Sequence, residues 1–384
     1  MKLPSLAELR ALPIAKWAAV GDDGLAAWIA EMDFGIAPEI ETALQEAITS
    51  GAVGYPTPAM WSDVADAVTG WYLDETGYAF DPAHVQTTVD IITALQVTIE
   101  RVVPSDAPIV VPTPAYMPFL TLPSVIGRQL VEVPLANDSG VFTYDLDALD
   151  AALAKGGLVI VCNPQNPTGR VNTRDELAGV ANVIERRGAF AFVDEVHSPI
   201  RYDGRPHVPY ASVSTAAANH SLTVTGAGKG WGIPGLKCGV ALITSPTARA
   251  ALAPIANDLA FGPSTLGLIG TAAAFRNARA WVANVVHYLE GNRQALADLV
   301  AEHLPGAVLT WPEGTYVAWL ELGPVLEAGF RGYPSPAALL EAEAGVKLTP
   351  GRECGEVGVT AVRLIFATPR PVLTEIVERI AAVL

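Results

Sequence analysis

The chain has 384 residues, of which 51% are hydrophobic and 17% are charged, and its formal net charge is -16. A length above the usual single-core size predicts two domains, and this apolar fraction is typical of a globular enzyme rather than a disordered chain. The acidic balance argues against a nucleic-acid partner, because neutralising phosphates requires a basic face.

The first part of the chain is predicted to hold an arm, two helices and a strand. Residues 1–50 indicate an arm and a helix that begins at Pro38, a position where the missing N–H of proline has no consequence. Apolar side chains at helical spacing indicate a second helix over residues 86–103, with Asp90 as its N-cap. A short apolar strand is predicted at residues 107–111.

The middle of the chain alternates between strands and helices. Strands are predicted at residues 157–162, 189–193, 221–225 and 239–244. The first of them is apolar throughout, as expected when helices cover both faces of a sheet. A helix opens at Thr173, and Glu176 three residues later completes a capping box. This alternation predicts an α/β fold with a mostly parallel central sheet and right-handed crossovers.

The last part of the chain predicts a smaller α+β domain. Long helical patterns occupy residues 276–300 and 372–384. We therefore predict three segments: an N-terminal arm with part of the small domain, the large domain, and the C-terminal small domain. Their predicted bounds are residues 1–45, 46–280 and 281–384.

Three polar motifs follow three of the predicted strands. These motifs are CNPQNPTG at residues 162–169, DEVH at residues 194–197 and TGAGKGWG at residues 225–232. In open α/β sheets, ligands bind beyond the carboxyl ends of the strands. We therefore expect the three motifs to converge on one site.

Two phosphate-loop motifs compete for the third segment, and neither fits it. A Walker A loop needs glycine six residues before its lysine, where the chain has Thr223, and Ser or Thr after it, where the chain has Gly230. Residues 230–235 match GxGxxG, but they do not directly follow a strand. Pro234 also falls where the helix of a dinucleotide-binding fold begins. The sequence therefore disfavours a nucleotide site.

A larger set of ordered motifs carries a family resemblance. Four of them are CNPQNPTG (162–169), FVDEVHSPI (192–200), GIPGLKCG (232–239) and VRLIFATPR (362–370). Together they resemble the fold-type I aminotransferase superfamily, class I/II branch, whose enzymes use pyridoxal 5'-phosphate (PLP). The resemblance narrows to the MalY/PatB group of C–S lyases, often called cystathionine β-lyases, through WIAEMDFGIAP (28–38), GYP (54–56), PTPAYMPF (112–119) and EGTYVAWLEL (313–322). It covers nearly the whole chain and implies the aspartate aminotransferase-like fold, with PLP in the large domain.

The resemblance also implies roles for individual residues around the cofactor ring. Lys229 is similar to the lysine that forms the Schiff base with PLP, and Asp194 is similar to the carboxylate that keeps the pyridine nitrogen protonated. Tyr116 resembles the aromatic residue stacked on the ring. Asn166 resembles the donor to the phenolic oxygen, which also helps to bind the substrate carboxylate. His197 stands where transaminases often carry tyrosine, and the lyase pattern implies that it lies next to the cofactor.

At the phosphate, the resemblance implies a helix start, a cation and a tyrosine from a second subunit. Asp90, Ile91 and Ile92 lie where the first turn of a helix meets the phosphate; free amides favour an anion there, although the Asp90 carboxylate opposes it. Lys237 stands where the family places a cation. Tyr55 resembles a tyrosine that reaches the phosphate of the neighbouring subunit, which implies a homodimer with shared active sites.

The chain departs from the family pattern just before the lysine. The family usually has an SxSK motif, whereas this chain has Gly226 and Gly228 in place of the two serines. The backbone amides of a glycine-rich turn can form an anion-binding nest in their place. Gly232 and Ile365 replace two asparagines that are common in the family, which affects the expected substrate pose.

For the substrate, the resemblance implies two contacts and a reaction. Arg363 resembles the arginine that pairs bidentately with an amino-acid carboxylate, and Asp33 is assigned to the substrate site by the resemblance alone. The implied reaction converts an S-substituted cysteine or cystathionine to pyruvate, ammonia and a thiol. The alternatives are an aminotransferase, a specialised tailoring enzyme of secondary metabolism, and a non-catalytic sensor that retains the fold.

The remaining features predict a cytoplasmic protein without a metal. Three widely spaced cysteines indicate neither a disulfide framework nor a zinc cluster, and the six histidines form no HExxH pair. The N-terminus lacks the apolar core of a signal peptide. No uncharged apolar run reaches the roughly 18 residues of a membrane span, so no membrane partner is expected.

Overall fold

The computed structural model describes residues 1–326 and 329–384 and contains one seven-stranded sheet, one four-stranded sheet and two smaller strand pairs. The strands are β1 (Leu25–Ala26), β2 (Val85–Thr88), β3 (Ile109–Thr113), β4 (Leu130–Pro134), β5 (Ala136–Asp138), β6 (Val141–Thr143), β7 (Leu158–Cys162), β8 (Phe190–Asp194), β9 (Ser221–Thr225), β10 (Gly239–Leu242), β11 (Val308–Leu309), β12 (Val317–Glu321), β13 (Val346–Lys347), β14 (Thr349–Pro350) and β15 (Ala361–Ile365).

The helices surround these sheets. They are α1 (Leu6–Arg10), α2 (Ala15–Ala18), α3 (Pro38–Thr49), α4 (Pro58–Thr76), α5 (Ile91–Val102), α6 (Met117–Val125), α7 (Leu146–Ala152), α8 (Arg174–Arg187), α9 (Thr215–Asn219), α10 (Ala227–Gly230), α11 (Pro246–Leu252), α12 (Ala256–Ala260), α13 (Thr265–Asn277), α14 (Arg279–His303), α15 (Pro336–Ala344) and α16 (Arg370–Val383). Among the described residues, no helix combines the length and apolar character that crossing a bilayer requires.

The large sheet has the strand order β2-β10-β9-β8-β7-β3-β4. Strands β9, β8, β7, β3 and β4 are mutually parallel, and β10 runs antiparallel to both of its neighbours. The register pairs Cys162 with Asp194 and Asp194 with Val224, so β7, β8 and β9 end side by side. This confirms the predicted α/β fold with a mostly parallel sheet, and it brings the polar motifs that follow these strands to one edge.

The four-stranded sheet is antiparallel, in the order β11-β12-β15-β14. In the middle of it, Arg363 pairs with Trp319 on one side and with Thr349 on the other. The N-terminal segment joins this half of the molecule, because β1 pairs in parallel with β13. The domain bounds at residues 45 and 280 stay a prediction.

Two predicted helices differ from the structure. The helix expected over residues 86–103 begins only at Ile91, because residues 85–88 form β2 and pair with the antiparallel strand β10. The helix expected over residues 276–300 is divided at Ala278 into α13 and α14. The first error arises because the apolar pattern continues into residues 85–88, which long-range strand pairing assigns to β2.

Candidate active site

Most of the predicted cofactor residues line one cavity of about 200 Å³ at the carboxyl end of the large sheet. The lining residues that were predicted are Asp90, Ile91, Ile92, Tyr116, Asn166, Asp194, His197, Gly226, Gly228, Lys229 and Lys237. Tyr55 does not line this cavity and is 92% exposed. We call this cavity the ring cavity. A larger cavity, of about 640 Å³, lies at the opposite edge of the sheet, away from all these residues.

Lys229 lies in the short helix that follows β9, and it is half-buried within the cavity. Its Nζ donates a hydrogen bond to the carbonyl oxygen of Ala30, at 2.8 Å. Burial, helped by the positive charge of Arg363, lowers the pKa of Lys229 to about 8. An amine with a lowered pKa is readier to lose its proton near neutrality, as a nucleophile or proton carrier must.

Asp194 ends β8 and is buried within the same cavity. Its Oδ1 accepts a hydrogen bond from the backbone N–H of Val196, at 3.0 Å. Burial raises the pKa of Asp194 to about 6, and the nearby Lys229 opposes this rise. A buried carboxylate of this kind is stabilised by a cation or by an N–H donor placed in the cavity.

Two aromatic side chains complete the walls around the ring cavity. The His197 ring is buried, and its Nδ1 has no hydrogen-bond partner within residues 1–326 and 329–384. Burial, with the charges of Lys229 and Arg363, holds the pKa of His197 well below its ordinary value, so the imidazole is neutral. Tyr116 stands at the start of α6 with its ring edge-on to Phe119, and burial raises the pKa of its phenol.

The start of α5 forms the opposite end of the cavity. The Asp90 carboxylate caps this helix, accepting from the N–H of Thr93 at 2.9 Å, and it also pairs with Lys237 Nζ at 3.1 Å. Ile91 and Ile92 come next, and the N–H groups of a first helical turn lack intrahelical acceptors. Because Asp90 is already engaged, its charge opposes an anion less than the sequence suggested.

The glycines that replace the two family serines allow close backbone packing. A Cβ on Gly226 would lie 3.2 Å from the carbonyl oxygen of Cys238, and one on Gly228 would lie 3.3 Å from Cα of Pro234. Either serine would therefore require the 234–238 loop to shift. The hydroxyl of the preceding residue, Thr225, lines the cavity and is buried without a hydrogen-bond partner in the described part of the chain.

Thr225 is a residue that the sequence reasoning missed. Its signal is its place as a hydroxyl residue at the last position of β9, directly before Gly226. The neighbouring Tyr72 donates its phenolic proton to Glu195 at 2.9 Å, so it does not donate to Thr225. Thr225 therefore supplies one hydroxyl next to the place where Gly226 and Gly228 replace the two serines of the family's SxSK motif.

Arg363 lies in the centre of β15 and is only 2% exposed. Its Nη2 donates to the carbonyl oxygen of Trp28 at 2.9 Å and to Thr349 Oγ1 at 3.1 Å, and its Nη1 donates to Asn166 Oδ1 at 3.4 Å. No carboxylate within the described residues forms an ion pair with it, and its Nε has no partner there. A buried guanidinium without a counter-charge fits a carboxylate ligand.

A second cavity, of about 500 Å³, joins Lys229 and Arg363 to the surface; we call it the substrate cavity. The segment 28–30 and Tyr116 form its inner walls. Toward the outside, its lining residues include Met117, Pro118, Glu341, Lys347, Leu348 and Glu353. The carbonyl oxygens of Trp28 and Ala30, which hold Arg363 and Lys229, left no signal in the sequence because any residue supplies a carbonyl.

Asp33 does not contribute to either cavity, so its predicted substrate contact is not supported. Its carboxylate is fully buried and pairs with Lys16 Nζ at 2.7 Å and with Trp17 Nε1 at 2.8 Å. Both carboxylate oxygens are thereby engaged by the N-terminal arm. Lys16 also donates to the carbonyl oxygen of Glu31 at 3.0 Å, so this ion pair fixes the segment that carries Ala30.

The fold and the site define a family. The model of the aminotransferase class I and II family matches residues 29–380, and the chain belongs to this family. It is 33% identical over 386 residues to the cystathionine beta-lyase of Corynebacterium glutamicum, a match that spans 100% of both chains. It is 26% identical to the aspartate/prephenate aminotransferase of Thermus thermophilus, over 95% of this chain and 92% of that protein.

A solved structure supports the same family assignment. The PLP-bound C–S lyase from Staphylococcus hominis superposes with a TM-score of 0.90 at 25% identity and covers 100% of this chain and 97% of that one. The predicted aspartate aminotransferase-like fold and the predicted membership of the C–S lyase group are thereby confirmed.

Proposed function

We propose that this chain is a PLP-dependent C–S β-lyase. It converts a thioether of cysteine and one water molecule to pyruvate, ammonia and a free thiol. The observation that carries the proposal is the meeting of a half-buried amine, Lys229, and a buried carboxylate, Asp194, in one cavity. Beside them lies Arg363, a buried guanidinium that has no carboxylate partner among the described residues.

The residues of the ring cavity fit PLP. Asp194 would face the protonated ring nitrogen, Tyr116 the face of the ring, and Asn166 the phenolic oxygen. The phosphate would meet the backbone amides of Ile91 and Ile92. The other cavity residues near the phosphate would be Thr225, Gly226, Gly228 and Lys237. The buried Thr225 hydroxyl, which lacks a partner in the described chain, supports this fit. When bound, PLP supplies an electron-withdrawing ring that acidifies the α-carbon of an amino acid.

The chain's own side chains then bind the substrate and move its proton. Arg363 binds the α-carboxylate with two parallel hydrogen bonds and so orients the α-carbon toward Lys229. The Lys229 amine, positioned by the Ala30 carbonyl, accepts the α-proton, and its lowered pKa suits this task. The sulfur leaves from the β-carbon as a thiolate and takes up a proton to become the thiol.

Product analysis tests the proposal against its runner-up. The purified holoenzyme is mixed with L-cystathionine, and pyruvate, ammonia and homocysteine are measured. We expect equal amounts of all three over many turnovers. An aminotransferase, which the Thermus relative keeps as the second candidate, would instead stop after one keto acid per site when no acceptor is added. That outcome would overturn the lyase assignment.

We also infer that the enzyme is a homodimer in which Tyr55 serves the partner's site. Tyr55 is 92% exposed and packs edge-on against Phe261, which is itself half exposed, 6.5 Å away between ring centroids. Two such exposed aromatic side chains favour a protein contact. Mixing Tyr55→Ala chains with Lys229→Ala chains tests this sharing.

In each mixed dimer, one site would be intact and the other would carry both changes. Random pairing would restore about a quarter of the wild-type specific activity. A mixture no more active than its two parents would show that Tyr55 acts within its own chain or not at all. Sedimentation of the wild-type protein as a monomer would refute the dimer itself.

We infer a cytoplasmic location from the thiols. Cys162, Cys238 and Cys354 are all free, and two of the three are buried. Free thiols suit a reducing compartment. Fractionation of the native cell followed by immunodetection tests this location; recovery of the chain outside the cytoplasm would contradict it.

A further inference from the structure

We propose that Tyr316 is a positioning residue for Lys229. Its phenol holds the Ala30 carbonyl oxygen, so that the lysine amine can leave this oxygen to act in the ring cavity and then return to it. The inference deepens the proposed function, because it rests on the assignment of Lys229 as the reacting amine.

Two side chains share one acceptor beside the ring cavity. The carbonyl oxygen of Ala30 accepts a hydrogen bond from Lys229 Nζ at 2.8 Å and another from the Tyr316 hydroxyl at 3.1 Å. Ala30 is only 6% exposed, and within residues 1–326 and 329–384 no third donor reaches this oxygen. Because a carbonyl oxygen only accepts, the phenol must donate its proton to it.

The fold fixes the Tyr316 ring in this position. The residue is fully buried directly before β12, and its ring meets the His197 ring edge-on, with 5.6 Å between the ring centroids. The preceding residue, Thr315, has a φ of 65°, which is unusual for a β-branched side chain, and its hydroxyl accepts from the N–H of Val317 at 3.1 Å. An unfavourable backbone conformation next to a buried polar side chain is typical of a functional position.

Tyr316 stays a donor throughout the pH range in which Lys229 changes its charge. Burial raises the pKa of the Tyr316 phenol far above its ordinary value, whereas the pKa of Lys229 is about 8. The positive hydrogen of the phenol and the lysine ammonium meet at the same oxygen and repel each other. The phenol therefore makes it easier for Lys229 to lose its proton and to leave the carbonyl.

The phenol has a second effect once the amine has moved away. A buried carbonyl without any donor is costly, and the Tyr316 hydroxyl remains on the Ala30 oxygen when Lys229 leaves it. Without the phenol, both effects would reverse. The ammonium would be held more firmly, and its departure would leave the carbonyl without a partner in the described chain.

Other charged and titratable groups also act on Lys229. Burial and Arg363 lower its pKa, whereas Glu31 and Asp194 raise it. The remaining groups of this kind that line the two cavities near the amine are His197, Tyr116 and the paired Asp90 and Lys237. Within the described residues, none of these side chains donates to the Ala30 oxygen. Removing the Tyr316 hydroxyl therefore changes the shared acceptor and leaves these groups in place.

Tyr316→Phe and Tyr202→Phe form a matched pair of variants. Tyr202 is also buried, and its phenol donates to the carbonyl oxygen of Thr315 at 2.5 Å. Tyr202→Phe therefore removes the same chemical group from a carbonyl one residue before Tyr316 and does not touch Ala30. Each variant keeps its aromatic ring, and thermal unfolding of both proteins checks the fold.

Competitive acetylation of the cofactor-free full-length protein measures the pKa of Lys229. A trace of acetic anhydride labels each amine in proportion to its neutral fraction, and mass spectrometry of the peptides separates Lys229 from the exposed Lys155. We expect the pKa of Lys229 to rise from about 8 in the wild type to about 9 in Tyr316→Phe. Tyr202→Phe should match the wild type. An unchanged pKa in Tyr316→Phe, or an equal rise in both variants, would overturn the proposal.

Cofactor uptake and turnover give two further readouts. PLP added to cofactor-free Tyr316→Phe should bind about tenfold more slowly than to the wild type, because the amine leaves the carbonyl less readily. With L-cystathionine, kcat of the holoenzyme should fall about tenfold and the acidic limb of its pH profile should move to higher pH. KM should stay unchanged, since Arg363 is not affected. A raised KM with an unchanged kcat profile would show that Tyr316 serves the substrate instead, and would overturn the proposal.

The positioning role and the lyase function fail separately. If the wild-type holoenzyme releases no thiol, the lyase function fails, and the acetylation and uptake measurements still decide the role of Tyr316. If both of those measurements are the same in Tyr316→Phe and in the wild type, the role of Tyr316 is refuted while the lyase function stands.

Discussion

The ring cavity and the substrate cavity are built in different ways. The ring cavity takes its polar groups from the ends of adjacent strands of one sheet, where Cys162, Asp194 and Val224 stand side by side. The substrate cavity joins distant parts of the chain: the Ala30 carbonyl and the Lys229 amine that it holds are 199 positions apart. The seven-stranded sheet therefore positions the reacting groups. The substrate cavity, where this sheet meets the four-stranded sheet, determines which substrate binds. Changes at the two cavities should leave different kinetic signatures.

The largest effect is expected at the point where the two cavities meet. Lys229→Ala should abolish thiol release, with a loss of more than about 10⁴-fold, because no other described amine lines the site except the ion-paired Lys237 and the distal Lys347. The Schiff-base absorbance of the holoenzyme should disappear as well. The matched control is Lys155→Ala, on the exposed surface far from both cavities. Full turnover by Lys229→Ala would refute the assignment of the amine.

The free energy of unfolding of the cofactor-free protein gives a separate test of the ring cavity. The pKa of Lys229 is lowered from 10.5 to about 8, so between these values the folded chain binds fewer protons than the unfolded chain, and its stability rises with pH. Lys229→Met removes the free-energy cost of burying a charged amine. In cofactor-free protein it should be more stable than wild type by about 3 kcal/mol at pH 7, and this advantage should shrink above pH 8.

Denaturant unfolding at pH 7 and pH 10 measures this difference. An advantage that does not depend on pH would mean that the lysine is not buried in its charged form. The Asp194 carboxyl contributes with the opposite slope at lower pH. Its pKa is raised to about 6, so its contribution to stability falls as pH rises from about 4 to 6.

Arg363→Lys should act chiefly on the substrate cavity, although the guanidinium also donates to Asn166 of the ring cavity. A lysine cannot form the two parallel hydrogen bonds of a guanidinium, so KM for L-cystathionine should rise by about 10- to 100-fold while kcat changes less. The cofactor absorbance should stay as in the wild type. A lost absorbance band would break the proposed separation between the two cavities.

The smallest effect is expected at Thr225. Thr225→Val removes the buried hydroxyl at nearly constant volume and should weaken cofactor binding by about 5- to 10-fold. Thr223→Val is the matched control, because Thr223 lies on the same strand with an equally buried hydroxyl that has no partner among the described residues, and it does not line the ring cavity. Equilibrium dialysis of the cofactor compares the two variants. Equal affinities would remove Thr225 from the site.

The ring cavity could be predicted from the sequence for a physical reason. Its side chains follow strands whose apolar runs are visible, and parallel strands bring their carboxyl ends to one edge. Lys229, Asp194 and Asn166 each belong to a motif of that kind, and the structure brings all three together. The sequence also shows the two glycines before the lysine. It does not show that the backbone of Cys238 and Pro234 packs closely against them.

The substrate cavity could not be predicted to the same extent. Two of its contacts are backbone carbonyls, those of Trp28 and Ala30, and the residue type carries no information about them. The carboxylate of Asp33 was assigned to the substrate, whereas it faces Lys16 of the arm. Nothing in the spacing of these two residues shows that a buried ion pair joins them.

Because of the buried Lys16–Asp33 pair, the active site depends on the N-terminal arm, although neither residue of the pair lines the site. Trimming the protein past Lys16 would strand a buried carboxylate without its counter-charge, and breaking such a pair costs about 3–5 kcal/mol. The loosened peptide would be the one that holds both Lys229 and Arg363 through its carbonyls. Gene fusions that add a new domain before the arm would therefore have to preserve the arm.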